Sequence, residues 1–311
     1  LLLTPVRLDD EVWVRWPSIA AGVAAVPVLY AAVRVLLGTR AGLLAALGLA
    51  VSPLASAFSD YARGFALSTL GLVIASWACA RLGTGGRRRW WWVYAGGAAL
   101  AVCSEYNAVL FLVCMVGAML VLRARPWWET VVLGLAPMAT LAPWLHQLQR
   151  GFDYDKVTKI APLFPAPSPG VVRDVCVALF FGRHGVDAAA PVRSLLLAAI
   201  VALLVWATVM LRRRPQRRVA AWLLAGTLVG TLLLHAALRL VDIGIFEQRY
   251  LTGLIPLCAA LLAGGLDSLR WRPAVPVAAV LLVAAGAGIV ILRHGREIEP
   301  DYMRAQQAPA A

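Results

Sequence analysis

Lysine occurs only twice in this chain, at 156 and 159, and asparagine once, at 107. Charged residues make up 14% of the 311 positions, against roughly 25% in a soluble domain. No Walker-type loop, Gly-x-Ser-x-Gly elbow or dinucleotide fingerprint occurs, so the chemistries those motifs carry have no foothold here. The five cysteines (Cys79, Cys103, Cys114, Cys176 and Cys258) have neither metal-site spacing nor a disulfide framework. They read as small apolar residues, and no metal or cofactor is expected. No run near Leu1 has the length of a signal-peptide core. Because the chain starts at Leu1 and not at Met, a further helix upstream of Leu1 is expected.

What is present in excess is apolar: 61% of the residues are hydrophobic. One water-facing core cannot absorb that much, and lipid is the natural solvent for the remainder. The formal charge of +13 does not indicate nucleic acid, because the arginines sit in short clusters between apolar runs, as in cytoplasmic loops of membrane proteins. Richness in Ala, Gly, Leu, Val and Arg points to a GC-rich bacterial genome, hence to a bacterial plasma membrane.

A spanning helix needs roughly 20 apolar residues. Spans are expected at about 17–37, 41–57, 62–81, 90–104, 107–123, 128–146, 193–212, 219–238, 250–267 and 273–292. The fourth and fifth are short enough to be a thin hairpin or two half-spans. The fold class is therefore all-α, a polytopic bundle of about ten spans forming one transmembrane domain over residues 1–311. Arg34/Arg40, Arg81 with Arg87–Arg89, Arg123/Arg125, Arg212–Arg214 with Arg217/Arg218, and Arg270/Arg272 fall in every second connection. Placing them in the cytosol satisfies the positive-inside rule throughout, puts Glu129 and Asp267 on the same side, and leaves both termini outside. Trp90–Trp92 and Trp127/Trp128 adjoin these arginines as an interfacial aromatic belt, and Pro27, Pro53, Pro137, Pro143 and Pro256 read as kinks within spans. Gly83, Gly85 and Gly86 read as a flexible cytoplasmic turn.

Two outer segments exceed turn length. Residues 147–192 hold Lys156, Lys159, a proline-rich stretch and a short amphipathic run near 170–182, read as an interfacial helix. Residues 239–249 form the other. Three short polar motifs face the same side. Asp60, Tyr61 and Arg63 join the second and third spans, with acid and base one helical turn apart. Glu105, Tyr106 and Asn107 join the fourth and fifth, where a carboxylate almost unbroken by polar neighbours is a functional candidate. Glu247, Arg249 and Tyr250 open the ninth, where Arg249 could hold a phosphate by paired hydrogen bonds. Each also has a plainer reading, as a solvated turn, a hairpin tip and a snorkelling arginine. His235, within the eighth span, reads as a packing residue.

Arg15-Trp16-Pro17-Ser18, Ala21-Gly22, Val26-Pro27-Val28-Leu29-Tyr30, Gly38 to Ala46 and Ser52-Pro53 together resemble bacterial glycosyltransferases of the GT-C superfamily, in particular the protein mannosyltransferase-like and aminoarabinose transferase-like group. Ser59 to Arg63 stands where that group often has Ser-Gln-Glu-Ala-Arg, with Asp60 and Tyr61 replacing Gln-Glu. Phe180-Phe181-Gly182 and Arg249-Tyr250-Leu251 with Pro256 match further, shorter patterns. The resemblance covers roughly residues 11–265. It implies transfer of a sugar, with inversion, from a polyprenyl-phosphate donor to a protein, glycan or lipid acceptor on the extracytoplasmic face. It also implies that the family's acidic base lies upstream of Leu1, leaving Asp60 and Glu105 as the carboxylates in hand. Arg63, Lys156, Lys159 and Arg249 are the outer cations for a leaving phosphate, with Tyr61, Tyr106, Asn107, Glu247 and Tyr250 as substrate-binding neighbours. Rival readings are a transporter or flippase of lipid-linked sugars, and an inactive membrane scaffold.

Overall fold

The computed structural model describes residues 11–59, 64–123, 125–143, 168–186, 189–240 and 248–269, and for 11, 12, 182–186, 239, 240, 248 and 249 the backbone alone. Among the described residues every element is helical, as apolar runs of this length in lipid require, since a helix satisfies its own backbone donors and acceptors. The order is α1 (Glu11–Leu37), α2 (Thr39–Ala50), α3 (Pro53–Ser59), α4 (Phe65–Gly83), α5 (Trp90–Ser104), α6 (Ala108–Val121), α7 (Trp127–Leu135), α8 (Pro169–Val186), α9 (Ala190–Arg212), α10 (Arg218–Leu240) and α11 (Leu254–Asp267), with 3-10 turns at Ala136–Leu141, Pro215–Arg217 and Gln248–Leu251.

Among the described residues four stretches are long and apolar enough to cross a bilayer: Trp13–Leu37, Phe65–Gly83, Ala190–Arg212 and Pro215–Leu238. The expected second span is a broken one: α2 and α3 meet at 60°. Pro53 opens α3; it has no N–H to continue α2 and restricts Ser52 before it. The expected fourth and fifth spans are 15 and 14 residues long, about 22 and 21 Å at 1.5 Å per residue. That is short of the roughly 30 Å hydrocarbon core. The expected sixth span shortens to nine α-helical residues followed by a 3-10 turn, where Pro137 interrupts the ladder. The amphipathic run expected at 170–182 is an 18-residue helix, Pro169–Val186, packed on α3 and α9 with Val177, Ala178 and Leu179 buried. It thus occupies much of the segment read as a loop. The span expected at 273–292 lies outside the described residues.

Close approach of backbones holds the bundle together. Gly38, at φ 100°, turns α1 sharply into α2, a conformation glycine adopts without strain. Helices α4 and α5 touch backbone to backbone: a Cβ on Gly71 would lie 2.6 Å from the Gly97 carbonyl oxygen, and one on Gly97 would lie 2.8 Å from Ala75 N. Gly71/Ala75 facing Gly97/Ala101 is the small-residue pattern that lets membrane helices pack closely. Gly64 abuts the Ser104 carbonyl, so the same pair stays in contact up to the tip that carries Glu105. In contrast α9 turns Leu195, Val201, Leu203 and Val205 outward, as a helix apolar all round does when lipid surrounds it.

Candidate functional site

At the arginine-rich end the acidic groups are consumed by structure. Glu129, 2% exposed, accepts hydrogen bonds from Trp91 Nε1 at 2.7 Å and Arg88 Nη2 at 3.3 Å. Asp267 accepts from Arg217 Nη2 at 2.6 Å, and Arg214 donates to the Ser268 carbonyl. The glycine turn after α4, which its composition suggests is flexible, is pinned. Gly86 N donates to Arg81 O, and Arg125 donates to the carbonyls of Leu82 and Gly86. Trp92 and Trp127 project outward beside this network, as belt residues do. Each acid thus pairs with an arginine that its sequence placement assigned to the same side.

The opposite end is built differently. Helix α5 is only 15 residues long, yet its Ser104 end abuts Gly64 at the start of α4, so the α5–α6 tip lies level with the end of a full-length span. At that tip Asn107 Nδ2 donates to Glu105 Oε1 at 3.1 Å. Glu105 and Asn107 line a small cavity with Tyr250, Thr252, Thr231 and His235. The ring of Phe65 bridges Phe58 of α3 and Tyr250, with centroids 5.1 and 6.3 Å away, both edge-on. This aromatic chain ties the broken span to the 3-10 turn Gln248–Leu251.

Beyond Thr252 lies a second, larger cavity of about 550 Å³ between α1, α3 and α4. Its walls are mostly apolar, with Ser56, Ser59 and Thr69 as the polar groups beside Thr252. Val23, Pro27, Ala50 and Ser56 on its margin are exposed, so it opens on the surface that lipid covers. Gly22 matters to its shape, since a Cβ there would collide with Ser59. Residues from both sides of the α2–α3 break, Leu49 and Ala50 before it and Ala55, Ser56, Phe58 and Ser59 after it, line this space.

Of the residues singled out in the sequence, the structure brings Glu105, Asn107 and Tyr250 to one cavity. It leaves Tyr106 exposed at the tip. Arg249 belongs to the 3-10 turn Gln248–Leu251, with its backbone described. Asp60, Tyr61, Arg63, Lys156, Lys159 and Glu247 lie outside the described residues; Ser59 and Gly64, which bracket the first three, both belong to the neighbourhood just described. Two residues come to the site that sequence reasoning had not put there. Thr252 separates the cavities, and His235, read as packing, is a cavity wall. The available signal was a polar stripe, Thr227, Thr231 and His235 at four-residue spacing on an otherwise apolar helix. Among the described residues no cluster of His, Cys, Asp and Glu could hold a metal ion.

Arginine pairs at one end of an apolar helical bundle, and a half-buried carboxylate lining a cavity at the other, are the arrangement of a membrane-embedded protein. Residues 2–146 match the model of the dolichyl-phosphate-mannose-protein mannosyltransferase family. Over that stretch, just under half of its length, the chain is GT-C-like and mannosyltransferase-like. No curated protein and no solved structure matches the chain.

Proposed function

We propose that the chain transfers a sugar from a polyprenyl-phosphate donor to an acceptor hydroxyl, at the end opposite the arginine pairs and on the extracytoplasmic side. The observation that carries this reading is the shared wall at Thr252. A lipid-facing apolar cavity that suits an isoprenoid chain adjoins a small polar cavity containing Glu105. The matched family's name supplies the donor class: a sugar on a lipid phosphate.

In the proposed reaction the bond between the sugar's C1 and the phosphate oxygen breaks, and a bond forms from C1 to the acceptor oxygen. The acceptor proton passes to a carboxylate, and the polyprenyl phosphate leaves with the negative charge. Glu105 is the carboxylate assigned to the acceptor hydroxyl, held by Asn107, and Asp60 is the other candidate. Arg249 and Arg63 are assigned to the charge that grows on the phosphate, with Lys156 and Lys159 as further cations. Acceptors of three kinds suit this chemistry: a protein, a glycan or a lipid.

The test is transfer by the whole protein in nanodiscs, supplied with polyprenyl-phosphate mannose and with a polyprenyl-phosphate pool bearing other radiolabelled sugars. Release of polyprenyl phosphate together with a new glycoside supports the reading. Failure of the wild type to bind or consume any of these donors overturns it. The 60° break in the second span gives the transporter reading its one specific support, since discontinuous helices serve substrate sites in transporters. Movement of intact labelled lipid across liposomes, without glycoside formation, is its distinguishing result.

A further inference from the structure

His235 sits on α10 with 4% of its surface exposed. Its Nδ1 lies 2.9 Å from the Thr231 carbonyl oxygen, one turn back. A carbonyl only accepts, so Nδ1 carries the proton, and in the neutral ring Nε2 is then a bare acceptor. That Nε2 is buried with no hydrogen-bond partner among the described residues. Buried polar atoms in this condition normally meet an ordered water or ligand group. The ring lines the same small cavity as Glu105, Thr231 and Thr252. The space there suits about one water molecule and is too small for a sugar.

We propose that His235 is a positioning residue that holds Glu105 through one ordered water in this cavity. The water donates one hydrogen to His235 Nε2 and the other to the Glu105 carboxylate, and its oxygen accepts from a hydroxyl of the cavity wall. Three hydrogen bonds are typical of a structural water. Thr231, whose buried hydroxyl has only the Cys114 thiol beside it, is the hydroxyl assigned to the water oxygen. The bridge ties α10 to the α5–α6 tip and fixes which way the carboxylate faces. The catalytic consequence rests on the sugar-transfer reading above; the water bridge does not.

The test has two arms. In the first, the whole protein in nanodiscs is imaged by cryo-electron microscopy at a resolution that resolves ordered waters. Density within about 2.7–3.2 Å of both Nε2 and a Glu105 oxygen is expected. Direct contact of the two side chains, or no density between them, overturns the proposal. Thermal unfolding accompanies it: His235→Leu and Glu105→Ala should each lower Tm by about 2–4 °C, and the double variant should lose no more than the larger single loss. Additive losses overturn the bridge. In the second arm, His235→Leu should lower kcat for transfer roughly 10- to 100-fold, as misplacement of a reacting group does, with KM for polyprenyl-phosphate mannose unchanged. His235→Gln, which keeps an acceptor near the Nε2 position, should recover most of the rate. A rise in KM alone, or no rescue by glutamine, overturns the positioning role. If the wild type transfers nothing, the functional reading fails while the first arm still decides the bridge.

Discussion

The two ends of the bundle treat buried carboxylates in opposite ways. At the arginine-rich end Glu129 is closed in by Arg88 and Trp91, and Asp267 by Arg217. At the other end Glu105 is half-buried, is held by Asn107 and faces a cavity. All three carboxylates lie at a helix end or junction. Their surroundings decide what each can do. A carboxylate whose oxygens are taken by an arginine and an indole is a structural part. One that lines a cavity is a functional candidate.

Substitution at each end tests that contrast. Glu105→Gln keeps the shape and a hydrogen-bonding oxygen but removes the charge and the proton-accepting ability. Transfer from polyprenyl-phosphate mannose should fall by about 10²- to 10⁴-fold, with Tm within about 2 °C of wild type. An enzyme with normal kcat would show that the two ends do not differ in the manner described. Glu129→Ala should give the reverse pattern. It leaves the buried Trp91 Nε1 without its acceptor, at a cost of about 1–3 kcal/mol, and removes an ion pair whose Arg88 side is largely exposed and adds little. Tm should drop by roughly 3–10 °C, while the rate per folded molecule stays near wild type.

A third substitution separates packing from charge. Gly97→Val places two methyl groups where Ala75 N, Gly71 O and Ile74 now lie, so α4 and α5 must move apart. Overpacking of this kind costs about 1–3 kcal/mol, read as a fall in Tm. Because α4 and α5 stay in contact up to Gly64 and Ser104, the displacement should also reach the Glu105 tip and reduce transfer. Loss of stability with full activity would show the tip to be positioned independently of the α4–α5 seam.

Hydropathy and arginine placement made much of the arrangement legible before any coordinates. Expected 90–104 coincides with α5, Trp90–Ser104, and Glu129 and Asp267 share their side with arginines that do bind them. Three things were not legible. The broken second span depends on Pro53 arresting α2, whereas a hydropathy window averages across the proline. The closeness of α4 and α5 depends on Gly71 and Gly97 falling opposite one another, a relation between helices that one sequence does not contain. The site itself was half legible. Glu105, Asn107 and Tyr250 declare themselves by polarity next to apolar runs, but His235 lies in mid-span, where packing is the ordinary explanation. What assigns it to the site is the juxtaposition of α10 with the α5–α6 tip, which only the tertiary fold supplies.

The smallest expected effect comes from Tyr94, one helical turn from Trp91 on the same side of α5. Its ring is fully buried, meets Trp91 edge-on at 5.6 Å, and its hydroxyl donates to the Gly134 carbonyl at 2.9 Å. Thus α5 is fastened to α7 twice, by Glu129 through Trp91 and by Tyr94 through Gly134. Tyr94→Phe keeps the ring and deletes only the second fastening, leaving a buried carbonyl short of a donor, for about 1 kcal/mol. A Tm lowered by roughly 2–4 °C, with transfer unchanged, is the expected result by thermal unfolding and donor turnover. If Tyr94→Phe were instead as damaging as Glu129→Ala, the two hydrogen bonds would form one cooperative seam. The stability of the arginine-rich end would then come from the α5–α7 contact as a whole and not from its ion pair.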